Sequence, residues 1–150
     1  MAPYPVFYLS TKTILSYLIL LAIDFNGKGD VSESNVQWTF GSNMPSKPSL
    51  VIVGENLYAI SDKGILSCLD AETGKQKYKH RVGGSFAASP LYAGGNIYLF
   101  DRDGKTTIFK PGDTYQALTT NQLDGEFMAS PAVAGRSLIL RTDKAIYRID

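Results

Sequence analysis

The side chains in this 150-residue chain that could do chemistry by themselves are one thiol, one imidazole and a few acidic or glycine-rich turns. Cys68 is the only cysteine, so an intrachain disulfide cannot form and a zinc site of spaced cysteines is excluded. It lies in an apolar strand-like run and reads as a small buried residue rather than a reactive thiol. His80, the only histidine, sits in Lys75-Gln76-Lys77-Tyr78-Lys79-His80-Arg81-Val82. Strand geometry with a period of two puts Lys75, Lys77, Lys79 and Arg81 on one face and Tyr78, His80 and Val82 on the other. That pattern describes an outer strand whose solvated basic face discourages edge pairing, with contact to an anionic group as the alternative use. Asp101-Arg102-Asp103-Gly104 opens like a calcium loop, but its twelfth position is Gly112, where a bidentate Glu is needed. A hairpin turn accounts for it. Gly83-Gly84-Ser85 and Gly94-Gly95-Asn96 precede no helix that could present amides to a phosphate, so they too read as turns.

Fifteen Lys and Arg stand against fourteen Asp and Glu. Such a balance leaves no global field to hold a nucleic acid or an anionic membrane. The apolar run Ile14 to Ile23 is shorter than the roughly 20 residues that span a bilayer. Apolar residues already begin at Val6, Lys12 is the only nearby cation, and no small-x-small cleavage site precedes Asp24. The segment therefore reads as part of two strands, Val6 to Ser10 and Leu18 to Asp24, with a signal or anchor segment as the alternative.

What positions the candidate residues is a repeat. Val53-Gly54-Glu55-Asn56-Leu57-Tyr58 aligns with Ala93-Gly94-Gly95-Asn96-Ile97-Tyr98 forty residues on, and Ala134-Gly135-Arg136-Ser137-Leu138-Ile139 follows forty-one later. Phe86-Ala87-Ala88-Ser89-Pro90 is matched by Phe127-Met128-Ala129-Ser130-Pro131. Each copy holds short β-branched and aromatic runs separated by Gly-Glu-Asn, Gly-Gly-Asn and Asp-Lys-Gly turns, without a helical period. About four strands per unit of about 40 residues is the arithmetic of a propeller blade.

Cys68-Leu69-Asp70-Ala71-Glu72-Thr73-Gly74-Lys75-Gln76-Lys77-Tyr78 resembles the PQQ-like (pyrroloquinoline-quinone-type) repeat signature Ala-x-Asp-x-x-Thr-Gly-x-x-x-Trp, with Cys68 for Ala and Tyr78 for Trp. Asp70 can accept from turn amides, Thr73 can close the turn, and Gly74 can supply a positive φ. Tyr78 offers a large side chain to pack between blades. Asp24 and Gly27 resemble the same core near the start, with Trp38 as the closing aromatic after a longer loop. Gly104 and Gly112 mark turns of the next repeat, where Asp and Thr are missing, and Pro90 and Pro131 mark blade starts.

The resemblance implies an all-β fold of four-stranded antiparallel blades, about three and a half of them in an incomplete ring. Their expected bounds are 1–45 for the end of a preceding blade, 46–84 and 85–125 for two blades, and 126–150 for an incomplete last blade. Such a chain is expected to be a piece of a longer propeller, prone to self-association through open blade edges. The implied function is a non-catalytic scaffold that binds a protein or small ligand at the propeller rim, outside the cytoplasm and without nucleic acid or membrane insertion. The alternative is the C-terminal part of a quinoprotein oxidoreductase, with PQQ and calcium held by blades that this chain lacks. No catalytic or metal residue is carried over, because the family's Glu-Asn-Asp set maps onto none of these positions and its adjacent-cysteine disulfide is impossible with Cys68 alone.

Overall fold

The computed structural model describes residues 18–24, 26, 28, 29 and 34–150, and the backbone alone of 6–10. Every regular element among them is a β-strand, and every pairing is antiparallel. The first sheet holds β1 (Val6–Ser10), β2 (Ile19–Ile23) and β3 (Val36–Phe40). The second runs β4 (Val51–Val53), β5 (Asn56–Ile60), β6 (Ile65–Asp70) and β7 (Gln76–Arg81). The third repeats that order with β8 (Leu91–Ala93), β9 (Asn96–Phe100), β10 (Lys105–Lys110) and β11 (Gln116–Gln122). The fourth comprises β12 (Ala132–Ala134), β13 (Ser137–Arg141) and β14 (Ile146–Ile149). No sheet closes on itself, and the sheets succeed one another as blades of a partial propeller.

Register fixes the correspondence between sheets. Cys68 pairs with Tyr78, Ile108 with Thr119 and Ala22 with Trp38, and a β-bulge follows each of the three pairs at the next step along the inner strand. The extra residue bends the outer strand and strengthens its twist at the same place in each sheet. The strands β1–β3 thus correspond to the second, third and fourth strands of a complete sheet. In the fourth sheet Ile139 pairs with Arg148, as Tyr58 pairs with Cys68 and Tyr98 with Ile108. Arg148-Ile149-Asp150 therefore stands where Cys68-Leu69-Asp70 stands in the second sheet, and β12–β14 correspond to the first three strands.

Alternation along each strand sends side chains to two interfaces. Leu57 and Ala59 of β5 join Leu20, Met44, Leu69 and Ala71 between the first two sheets. Tyr58 and Ile60 join Leu66, Cys68, Phe86, Ile97, Leu99 and Phe109 between the second and third. Ala88, Phe100, Phe127 and Leu140 form the third such layer. All five residues of β5 are buried because a sheet covers each of its faces. Burying each of the larger side chains contributes about 1.5–3 kcal/mol, so these layers are the main force holding the blades together.

Loop hydrogen bonds add periodic stitches. The Ser49 amide donates to the Ser89 hydroxyl at 2.9 Å, and the Ser89 amide to the Ser130 hydroxyl at 3.0 Å. Likewise the Gly64 carbonyl accepts from the Val82 amide at 2.9 Å, and the Gly104 carbonyl from the Leu123 amide at 3.0 Å.

Candidate functional site

The signature residues gather at the seams between sheets, not in one pocket. Asp70 ends β6, and its carboxylate accepts from the Thr73 amide at 2.9 Å and the Thr73 hydroxyl at 2.8 Å. The Gly74 amide donates to the Asp70 carbonyl at 2.9 Å, closing the turn. These bonds, led by the Thr73 hydroxyl, hold the Asp70 carboxyl below the usual carboxylate range. Gly74 has φ +70°, a backbone that side chains rarely adopt. Its open face lies on Trp38 of the preceding sheet, at 2.5 Å from where a Cβ would stand to ring atoms Cδ2 and Cε3.

The next seam uses a different contact. The turn Pro111-Gly112-Asp113 lies over β5 of the second sheet: the Gly112 amide donates to the Tyr58 hydroxyl at 2.8 Å, which reaches the Gly112 carbonyl at 3.3 Å. Asp113 accepts from Asn56 Nδ2 at 3.1 Å and from Lys77 Nζ at 2.9 Å, and Lys77 also lies 3.8 Å from Asp70. The Lys77 ammonium, with help from Asn56, holds the Asp113 carboxyl below its ordinary value. Lys77 is therefore drawn away from the expected basic strip of β7 into these ion pairs. Lys75, Lys79 and Arg81 stay exposed. Gly112 has no positive φ, so it is not the counterpart of Gly74; its part in the seam is a backbone one.

Tyr78 packs beside Tyr115, with ring centroids 6.5 Å apart, and its hydroxyl is buried without a hydrogen-bond partner among the described residues. Burial pushes that hydroxyl well up, and pushes the fully buried Cys68 thiol up to about 11. The imidazole of His80 stacks on Tyr115 at 3.8 Å, a packing contact between the second and third sheets. Asp101 is 1% exposed and accepts from the amides of Asp103 and Lys105, the arrangement of a tight turn. Gly104, with φ +80° in that turn, fits against the carbonyls of Leu123 and Gly125.

The other signature positions stand apart from one another. Asp24 accepts from the Asn26 amide and side chain, bracing its own loop. Gly27 lies outside the described residues. Pro90 and Pro131 are half-buried just before β8 and β12. Tyr58 and Asn56, which anchor the Gly112 turn, were not singled out as site residues from sequence. Their signal was the recurrence of Asn-Leu-Tyr as Asn-Ile-Tyr forty residues on.

Between the third and fourth sheets lies a cavity of about 600 Å³, lined by Tyr98, Phe100, Ile108, Leu138, Leu140 and Ile149 among others. A smaller one of about 360 Å³ lies beside the Gly112 turn, bordered by Asn56, Lys77 and Asp113. Among the described residues no three His, Cys, Asp or Glu side chains are grouped to hold a metal ion.

Four successive antiparallel sheets, three of them sharing a bulge and two seams carrying a turn docked on the sheet before, are those of a PQQ-like repeat β-propeller. Residues 28–117 match the family described as outer membrane protein assembly factor BamB. The chain belongs to that family. The assembly factor BamB of Legionella pneumophila (strain Paris) is 25% identical over 119 residues, which cover 79% of this chain and 31% of that protein. The crystal structure of BamB from Moraxella catarrhalis superposes with a TM-score of 0.67 at 15% identity, over 91% of this chain and 40% of that one. A europium-containing methanol dehydrogenase gives 0.60 at 14% identity, over 83% of this chain and 24% of its own. At these identities the structural likeness shows the fold alone. The chain spans less than half the length of either BamB protein.

Proposed function

We propose that this chain is a non-catalytic part of a bacterial envelope scaffold, acting outside the cytoplasm by binding protein partners during outer-membrane protein assembly. The observation that carries this reading is where the motif chemistry goes. Asp70, Thr73, Gly74, Lys77 and Asp113 are engaged in holding turns and joining one sheet to the next. Membership of the family described as outer membrane protein assembly factor BamB supports the assembly role. In this reading Asp24, Gly27, Trp38, Asp70, Thr73, Gly74, Tyr78, Pro90, Gly104, Gly112 and Pro131 serve the blades. The blades themselves are residues 46–84 and 85–125, flanked by parts of two others in 1–45 and 126–150.

Surface left over from docking is suited to contact with protein. Tyr92 and Met128 present large apolar side chains that are 44% and 54% exposed. A surface of this kind binds proteins by burying apolar anchors within a polar rim. The test is deletion of the whole gene in its host, followed by quantitation of folded outer-membrane β-barrel proteins. The reading expects their levels to fall and to recover on complementation. Unchanged levels, together with dye-linked alcohol oxidation by the full-length protein loaded with PQQ and calcium, would overturn it in favour of a quinoprotein.

A further inference from the structure

We propose that the cavity beside the Gly112 turn is a receptor for the guanidinium of an arginine carried by a partner protein. The inference narrows the partner chemistry of the scaffold reading and rests on it. The cavity, of about 360 Å³, lies between the second and third sheets, both of which hold four strands. Its rim joins the β4–β5 turn, which carries Glu55, to the β10–β11 turn, which carries Asp113, with Lys77 of β7 beside them. In the second sheet the turn after the third strand spends its carboxylate on itself, Asp70 accepting from Thr73. The corresponding turn of the third sheet departs from that pattern. Asp113 makes no bond within its own turn among the described residues; it reaches across the seam to Asn56 and Lys77, and its side chain is 71% exposed.

Two features set what the cavity takes. Asn56 borders it, is 8% exposed, and donates through Nδ2 to Asp113 and to the Tyr58 hydroxyl, yet its Oδ1 is buried with no hydrogen-bond partner among the described residues. A buried acceptor without a donor carries an uncompensated desolvation cost, which a donor seated in the adjoining space removes. The second feature is a surplus of negative charge. Lys77 shares its one charge between Asp70 and Asp113, at 3.8 and 2.9 Å, while Glu55 is exposed at the rim and in no ion pair among the described residues. Asp113 is held ionised beside Lys77. A carboxylate has about four lone-pair sites, and the bonds from Asn56 and Lys77 both fall on Oδ1. The occupant is therefore a cation with several N–H donors. A guanidinium meets both demands, because its rigid fork can donate to the Asp113 carboxylate and to the amide oxygen beside it at the same time. Val53 and Pro111, which also line the space, supply an apolar wall for the aliphatic stem. Calcium fits less well: it needs roughly six to eight oxygen ligands, and the Lys77 ammonium already stands at Asp113.

N-acetylarginine methylamide, titrated into the isotopically labelled 150-residue chain and followed by nuclear magnetic resonance, tests this. Saturable shifts centred on Glu55, the Asn56 side-chain amide, Gly112 and Asp113 are expected. The uncharged citrulline analogue should bind about tenfold more weakly, and the lysine analogue, which keeps the charge and loses the fork, about threefold more weakly. Asp113→Asn should weaken arginine binding about tenfold, the effect of one charge-assisted hydrogen bond, with circular dichroism unchanged. If that variant fails to fold, Glu55→Gln, at an exposed position, should still weaken binding about twofold to threefold at low salt. Equal binding of the citrulline or lysine analogue, shifts centred on other carboxylates such as Asp124 or Glu126, undiminished affinity in the folded variants, or no saturable shift would each overturn the proposal. So would calcium chloride that produces the same shifts at lower concentration. None of these readings uses outer-membrane protein levels, so failure here is distinguishable from failure of the scaffold role.

Discussion

The indole of Trp38, on β3 of the first sheet, closes over Gly74 in the β6–β7 turn of the second, leaving no room for a Cβ. The glycine thus meets two requirements at once, a positive φ for the turn and a flat face for the ring. Trp38 pairs in register with Ala22 as Tyr78 pairs with Cys68, so the two aromatics hold corresponding positions, but Tyr78 packs beside Tyr115 and the third sheet has Thr119 there.

Tyr58→Phe should destabilise the chain by about 1–3 kcal/mol, because the Gly112 amide loses its acceptor in a partly buried seam. Tyr98→Phe, at the corresponding position, where no turn among the described residues docks, should stay within about 0.5 kcal/mol. Urea denaturation midpoints of both variants check the contrast. Equal losses would mean that the hydroxyl contact is not what distinguishes the two seams.

Stability should fall in acid, partly through Asp70. Its folded pKa is lowered by the Thr73 hydroxyl and amide, so its contribution is complete above the unfolded value of about 3.9 and is lost as pH falls through the folded value. Asp70→Asn should be less stable than the parent at pH 7 and should lose less on going to acid. Denaturation curves across pH 2–7 would show the two converging; parallel curves would rule Asp70 out as a source of the pH dependence.

Cys68 should resist thiol reagents until the seam between the second and third sheets opens. It is fully buried and its pKa is raised to about 11, which leaves little thiolate near neutrality. Labelling by a disulfide reagent at pH 8 should track unfolding as urea is added. Rapid stoichiometric labelling of the native chain would contradict the burial.

The repeat made most of the fold legible. Ile65 to Asp70 was readable to the residue, and the strands beginning at Asn56 and Asn96 follow from their two-residue turns, because alternation and turn chemistry are local signals. The seams were less so. Lys77 belonged by alternation with Lys75, Lys79 and Arg81, but the bulge after Cys68 and the nearby Asp113 decide its contacts, and Asp113 is 36 residues away in sequence. The anchoring of Gly112 on Tyr58 spans 54 residues and runs through backbone groups, which no motif of side chains records.

The central claim is that the signature residues dock one blade on the next, and a double-mutant cycle on Trp38 and Gly74 tests it most directly. Gly74→Ala should cost at least about 1 kcal/mol in the parent chain through the strained φ and the overlap with the ring. In the Trp38→Ala background the overlap is gone and only the backbone term remains. The account predicts a coupling of at least about 0.5 kcal/mol between the two positions, measured by urea denaturation. Strict additivity would contradict it, placing Gly74 in its own turn alone and leaving the first and second blades without this joint.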